Sequence, residues 1–128
     1  MKVYLTRDSV CAADDAFGPH VTTFRVPEGM SVSDLVKKVQ QSHLPGNIQG
    51  GKATWSITSK IPIAVLAQQW PEPRLIPASG LSIADLDIVD GTLRLRANYR
   101  AQLEPDVVEE VLRRLTLRGI DAAPKPNP

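Results

Sequence analysis

Three observations predict an α+β fold, with a mixed or mostly antiparallel sheet of about five to six strands and two packed helices. Apolar and polar residues alternate in several short runs, most cleanly from Thr92 to Ala101. Two other segments, after Ser31 and after Pro105, repeat apolar residues every three to four positions, the period of a helix packed on one face. The chain is 128 residues long, 42% apolar and 23% charged, which suits one compact domain burying roughly two-thirds of its unfolded surface.

Lys2 to Leu5 is a short apolar run, and His20 to Val26, rich in Val, Thr and Phe, is a second β segment. The connection RDSVCAADDAFGP carries an Asp pair, Gly18 and Pro19, residues typical of a long and functional loop. Pro27 and Gly29 close the second strand. Ser31, with Asp34 three residues on, has the form of a capping box that satisfies the first backbone N–H groups of a helix. Val32, Leu35, Val36 and Val39 form its apolar stripe, Lys37, Lys38, Gln40 and Gln41 fall on the other side, and Pro45 and Gly46 end it.

In Ala53 to Ser59, Trp55 and Ile57 alternate with Thr54, Ser56 and Thr58, so the two large residues share one face of a strand. Ile61 to Ala67 is apolar on both faces and reads as a central strand, with Pro62 confined near its start. Pro71, Pro73 and Pro77 break the next segment, leaving Arg74 to Ile76 as a short edge strand. Ser82 to Leu86 is one helical turn capped by Ser82 and Asp85. Beyond the turn Asp90-Gly91, Leu93, Leu95, Ala97 and Tyr99 share one strand face, and Arg94, Arg96, Asn98 and Arg100 the other. Pro105 opens the second helix, with Val107, Val108, Val111, Leu112 and Leu115 as its buried stripe. Asp106, Glu109 and Glu110 precede Arg113, Arg114 and Arg118, an order that suits the helix dipole, and Gly119 is the expected stop. Residues 1–120 thus make a single domain and residues 121–128 a flexible Pro-rich tail; the chain shows no internal repeat.

Fifteen Lys and Arg against 14 Asp and Glu leave a net charge of +1, which supplies no broad field for a polyanion or a membrane surface. Any charged site must be local, and a nucleic-acid partner is disfavoured. The lone Cys11 cannot close an internal disulfide, and no Cys and His spacing resembles a zinc site. No apolar run approaches the roughly 18 residues of a membrane span, and MKVYLTRDSV meets charge too early for a signal peptide. The expected location is the cytoplasm. Frequent Ala, Arg, Val and Pro, with Arg exceeding Lys, hint at a bacterial source.

The order hairpin, helix, further strands, with PEGMSVSDLVKKV following the second strand, resembles the ubiquitin-like β-grasp layout over Met1 to Ile76. Ubiquitin-like carriers act through a C-terminal Gly-Gly, whereas this chain ends KPNP, so the resemblance implies the scaffold without the carrier chemistry. The strings VYLTRDSVCAADD and AQQWPEPRL are similar to those of small bacterial proteins.

Gly46 to Lys52 nearly matches a phosphate-cradling P-loop, but Ala53 replaces the hydroxyl residue that would meet Mg²⁺, and the loop joins a helix to a strand, the reverse of the required order. A connector turning at Gly50-Gly51 explains it better. Asp8, Cys11, Asp14, Asp15 and His20 crowd one loop and could be drawn as a metal site, yet turn-capping accounts for them more simply, so no metal or cofactor is expected. Cys11 with His20 or His43 lacks any nucleophile signature, and His43 is placed as a dipole partner at a helix end.

Two features suit docking to another protein. Arg94, Arg96 and Arg100 stand in a row about 6.6 Å apart per two residues, able to meet carboxylates; the alternative is a solvated face balanced by acidic neighbours. Trp70, in the Pro-stiffened stretch from Gln68 and Gln69 to Arg74, loses little entropy on docking and suits an interface anchor; the alternative is a Trp folded over the core edge. Without a catalytic constellation, the expected function is a non-catalytic module that binds and blocks another protein, for example an immunity protein occluding a bacterial toxin. Its contacts are assigned to Gln68, Gln69, Trp70, Arg74, Arg94, Arg96, Arg100, Asp14 and Asp15. The alternatives are a small enzyme or a ligand or metal binder using residues 8–20, and an adaptor subunit that self-associates.

Overall fold

The computed structural model describes residues 1–8, 20–42, 53–76, 81–100 and 103–122, with side chains described as far as Leu115. Seven strands form one mixed sheet: β1 (Lys2–Arg7), β2 (Val21–Arg25), β3 (Thr54–Ser59), β4 (Ile61–Ala67), β5 (Arg74–Leu75), β6 (Ile88–Val89) and β7 (Thr92–Tyr99). The order is β2-β1-β7-β3-β4-β5, with β6 paired to β7 alone. Only the β1–β7 pairing is parallel; the others are antiparallel. Two helices, α1 (Val32–Gln41) and α2 (Pro105–Ala122), and a single 3₁₀ turn over Ile83–Asp85 complete the described elements, so the α+β class read from the periodicity is the class observed.

The register follows from which residues must leave water. Val3 pairs with Leu93 and Leu5 with Leu95, while Trp55 faces Tyr99 and Ile57 faces Ala97. These pairs, with Ala64 and Leu66, line one sheet face. There α1 packs Val32, Leu35, Val36 and Val39, all buried, and each contributes about 1.5–3 kcal/mol by leaving water. Ser31 caps this helix, its hydroxyl accepting the Asp34 N–H at 3.0 Å. The helix closes at Ser42, ahead of the expected Pro45 and Gly46, which lie outside the described residues.

The opposite face carries Tyr4, Thr6, Arg94, Arg96, Asn98, Ser56 and Val65, as the same pairings require. Here α2 covers only the β4–β5 end, where Val108 and Leu112 bury against Val65 and Ile76. That cover explains why β4 is apolar on both sides. It is next to the short edge strand β5 and not at the sheet's centre, so its two-sided burial comes from a helix on each face. A bulge between Ile57 and Thr58 pairs Thr58 with Pro62 and leaves Ile63 as the extra residue; Pro62 has no N–H to give the ladder, and a bulge tolerates that.

Three further expectations change. The strand count rises to seven because Ile88–Val89, too short to show a pattern, pairs with β7 across Asp90-Gly91. The two turn residues have φ of 51° and 73°, the paired positive values of a tight type I′ hairpin. The second helix runs past Gly119 to Ala122, because glycine weakens a helix without blocking it. Val108 and Leu112 of its stripe are buried, but Val107, Val111 and Leu115 are exposed, because the sheet edge beneath is narrower than the stripe.

Candidate functional site

On the half of the sheet that α2 leaves open, β1 and β7 run side by side in parallel register, placing Tyr4 beside Arg94 and Thr6 beside Arg96. Each arginine meets a carboxylate. Arg94 grips Asp87 with two bonds, Nε to Oδ2 at 3.0 Å and Nη2 to Oδ1 at 3.1 Å, the planar fork that orients a guanidinium. Arg96 pairs through Nη2 with Asp8, whose other oxygen accepts the Tyr99 N–H at 3.1 Å. The Asp8 N–H donates in turn to the Ala97 C=O at 3.0 Å, fixing both ends of that residue on β7.

Beneath these pairs lies a layer of hydroxyls. Ser59, 2% exposed, donates to the Arg94 C=O at 2.8 Å and accepts the Asp87 N–H at 2.9 Å, tying the β3–β4 turn to the strand that bears the arginines. Asn98 Nδ2 donates to Thr58 Oγ1 at 2.8 Å, and Arg100 Nε to Ser56 Oγ at 2.9 Å. Lys60 makes the tight turn between β3 and β4 at φ 66°, a strained conformation for a side chain with a Cβ. Tyr4, Thr6, Lys60, Asp87, Arg94 and Arg96 surround a shallow depression of about 240 Å³. Lys60, Arg94 and Arg96 line the depression with Asp87, Asp8 holds Arg96, and Lys60 also faces the Asp85 carboxyl, so each cation there stands against a carboxylate.

A second group forms around the Trp70 segment. Gln68 closes the end of the β3–β4 pair, its Oε1 accepting the Ala53 N–H at 2.8 Å, and the Trp70 N–H donates to the Ala67 C=O at 3.0 Å. The Trp70 ring is half-buried against the cluster of Val65, Ile76, Val108 and Leu112. The Arg74 guanidinium lies 3.9 Å above that ring and also bonds Asp106 at 2.7 Å, with Glu109 at 3.5 Å. Arg113 adds bonds to the carbonyls of Ile76 at 2.9 Å and Leu75 at 3.0 Å. Trp70 and Arg74 thereby fasten α2 to the sheet edge, while Gln69 is exposed beside them.

The sequence-predicted residues therefore fall into two places: Arg94, Arg96 and Arg100 on the open sheet face, and Gln68, Gln69, Trp70 and Arg74 at the α2 seam. Asp14, Asp15, Cys11 and His43 lie outside the described residues, as does the 46–52 loop. His20 stands just before the second strand, its C=O accepting the Arg7 N–H at 3.0 Å. Sequence reading missed Tyr4, Ser59 and Asp87 and placed Asp8 with the 8–20 loop rather than beside Arg96; β1 alternates Tyr4 and Thr6 with buried Val3 and Leu5, but their meeting with β7 appears only once the parallel register is known. Among the described residues no group of three or more His, Cys, Asp or Glu could hold a metal ion, and no helix is long and apolar enough to cross a membrane.

Fold and site together define an α+β protein whose sheet is roofed on one face and half open on the other, with the open half bearing ordered arginine–carboxylate pairs. No family model, curated protein or solved structure matches the chain.

Proposed function

We propose that the chain is a non-catalytic protein-binding module that docks a partner on the open β1–β7 face. The observation that carries this reading is the pairing of Arg94 with Asp87 and of Arg96 with Asp8 on an exposed strand pair. Arginines already held by carboxylates lose less rotamer freedom when they meet a partner, and Arg beside Tyr4 is the side-chain chemistry that dominates protein interfaces. The depression is too shallow to bury most of a small ligand, whereas a broad sheet face suits an opposing protein surface. The guanidinium groups of Arg94 and Arg96 and the Lys60 ammonium suit carboxylates on the partner's matching surface. The hairpin, helix, further-strands order supports a β-grasp-like scaffold beneath this face.

The finer reading is inhibition: a module of 14.0 kDa that covers an acidic active-site rim blocks access to it, as an immunity protein does to a toxin. Tagged protein is incubated with extract of the source organism, alongside Arg94→Glu/Arg96→Glu. One stoichiometric protein retained by the parent and lost by the variant supports the reading, and loss of that partner's activity on binding supports inhibition. Retention of nothing, or equal retention by both, overturns it.

A further inference from the structure

The second helix exposes more apolar surface than a helix facing only water would carry. Val107 is 57% exposed, Val111 49% and Leu115 56%, and Leu103 just ahead of the helix is 58% exposed. Val107, Val111 and Leu115 are spaced four apart and form one continuous ridge, separate from the buried ridge of Val108 and Leu112. Most exposed apolar residues are scattered singly; a ridge aligned along one helix is a docking surface.

Charge decides what covers it. From Glu104 to Leu115 the charges run acidic and then basic, Glu104, Asp106, Glu109 and Glu110 ahead of Arg113 and Arg114, with Arg113 turned to the Leu75 and Ile76 carbonyls of the protein's own sheet. Asp106 and Glu109 are engaged by Arg74 on the protein's own sheet, which leaves Glu104 and Glu110 on the outer side. A helix with one acidic and one basic half is complementary to itself when turned end for end. Laid antiparallel about Val111, Val107 comes opposite Leu115, Glu110 of one copy falls on the same side as Arg114 of the other, and Val111 meets its own copy. Parallel pairing would set like charge against like.

We propose that two copies of this chain associate through α2, antiparallel about a two-fold axis at Val111, burying the Val107–Val111–Leu115 ridge of each. Glu110 and Arg114 are paired within one helix at 2.6 Å, and both are largely exposed. Exchanging such a surface pair for the equivalent pair across the axis costs little. The 18-residue helix is about 27 Å long, so the contact is at the small end of stable interfaces and its association is concentration-dependent. This surface is on α2, whereas the proposed partner site is on β1 and β7, so either can fail without the other.

Sedimentation of the full chain from about 1 μM to about 1 mM tests it, a range that reaches weak association. The expected mass rises with concentration from 14.0 kDa towards twice that value. Val111→Glu, at a half-exposed position, sets two charges on the axis and raises the dissociation constant at least about tenfold, with circular dichroism unchanged. Glu110→Arg and Arg114→Glu each weaken association about threefold or more, because attractive pairs across the axis become repulsive, and the double variant restores it. A chain that stays monomeric at about 1 mM, a Val111→Glu variant that dimerises like the parent, or a double variant that fails to restore association each overturns the antiparallel pairing.

Discussion

Replacing Ser59 with alanine removes two hydrogen bonds at one point, since its hydroxyl accepts the Asp87 N–H and donates to the Arg94 C=O. The position is 2% exposed, so water does not readily replace the lost oxygen. A buried polar group left without a partner costs about 1–3 kcal/mol, and two are left here, so the expected loss is about 2–6 kcal/mol. Against a total of about 5–15 kcal/mol for a domain of ordinary stability, that is a large share. Urea unfolding followed by the fluorescence of Trp55 and Trp70 measures it. With a slope of about 2 kcal/mol per molar, the midpoint falls by about 1–3 M. Thr58→Ala, at a half-buried neighbour that accepts one bond from Asn98, is the control and costs about 1 kcal/mol or less. A Ser59→Ala midpoint equal to that of the parent refutes the claim that this hydroxyl organises the Asp87–Arg94 pair.

Gly91→Ala places a Cβ at φ 73° and lowers stability by about 1–2 kcal/mol in the same urea assay. Arg74→Ala removes the contact over Trp70 and the bonds to Asp106 and Glu109; its guanidinium is about half exposed, so the expected cost is about 1 kcal/mol, and Arg74→Lys recovers only part of it. The Ser82 backbone N–H, and next its hydroxyl, hold the Asp85 carboxyl below its ordinary value of 3.8. A depressed folded value stabilises the fold above the unfolded value and loses that contribution as pH falls through the lower, folded one. Parent and Asp85→Asn therefore differ in stability above pH 3.8 and converge below it, which an acid titration by circular dichroism reads out.

The legible parts of the fold were those in which one period ran long enough to override local noise. Val32 to Val39 and Leu93 to Tyr99 show their faces directly, and Asp90-Gly91 and Ser82 with Asp85 show their turns by the chemistry of the residues that make them. Two-residue strands have no period to read, which is why Ile88–Val89 was missed. Pairing partners were also invisible, because nothing in Tyr4 or Asp8 says that β1 runs parallel to β7. The arginine row was readable as a row, but its ordering by Asp8 and Asp87 joins residues 88 and 7 positions apart. Trp70 shows a similar limit: its Pro-rich setting was plain, whereas its seat between Arg74 and the α2 seam depends on a helix that begins 35 residues later.

The central claim is that the open face of β1 and β7 is the docking surface. Hydrogen exchange of the chain alone and with its captured protein partner measures this directly, segment by segment. The account predicts added protection over Lys2–Arg7 and Thr92–Tyr99, centred on Tyr4, Arg94 and Arg96. Protection confined to α2 or to the Trp70 segment, with β1 and β7 unchanged, contradicts it.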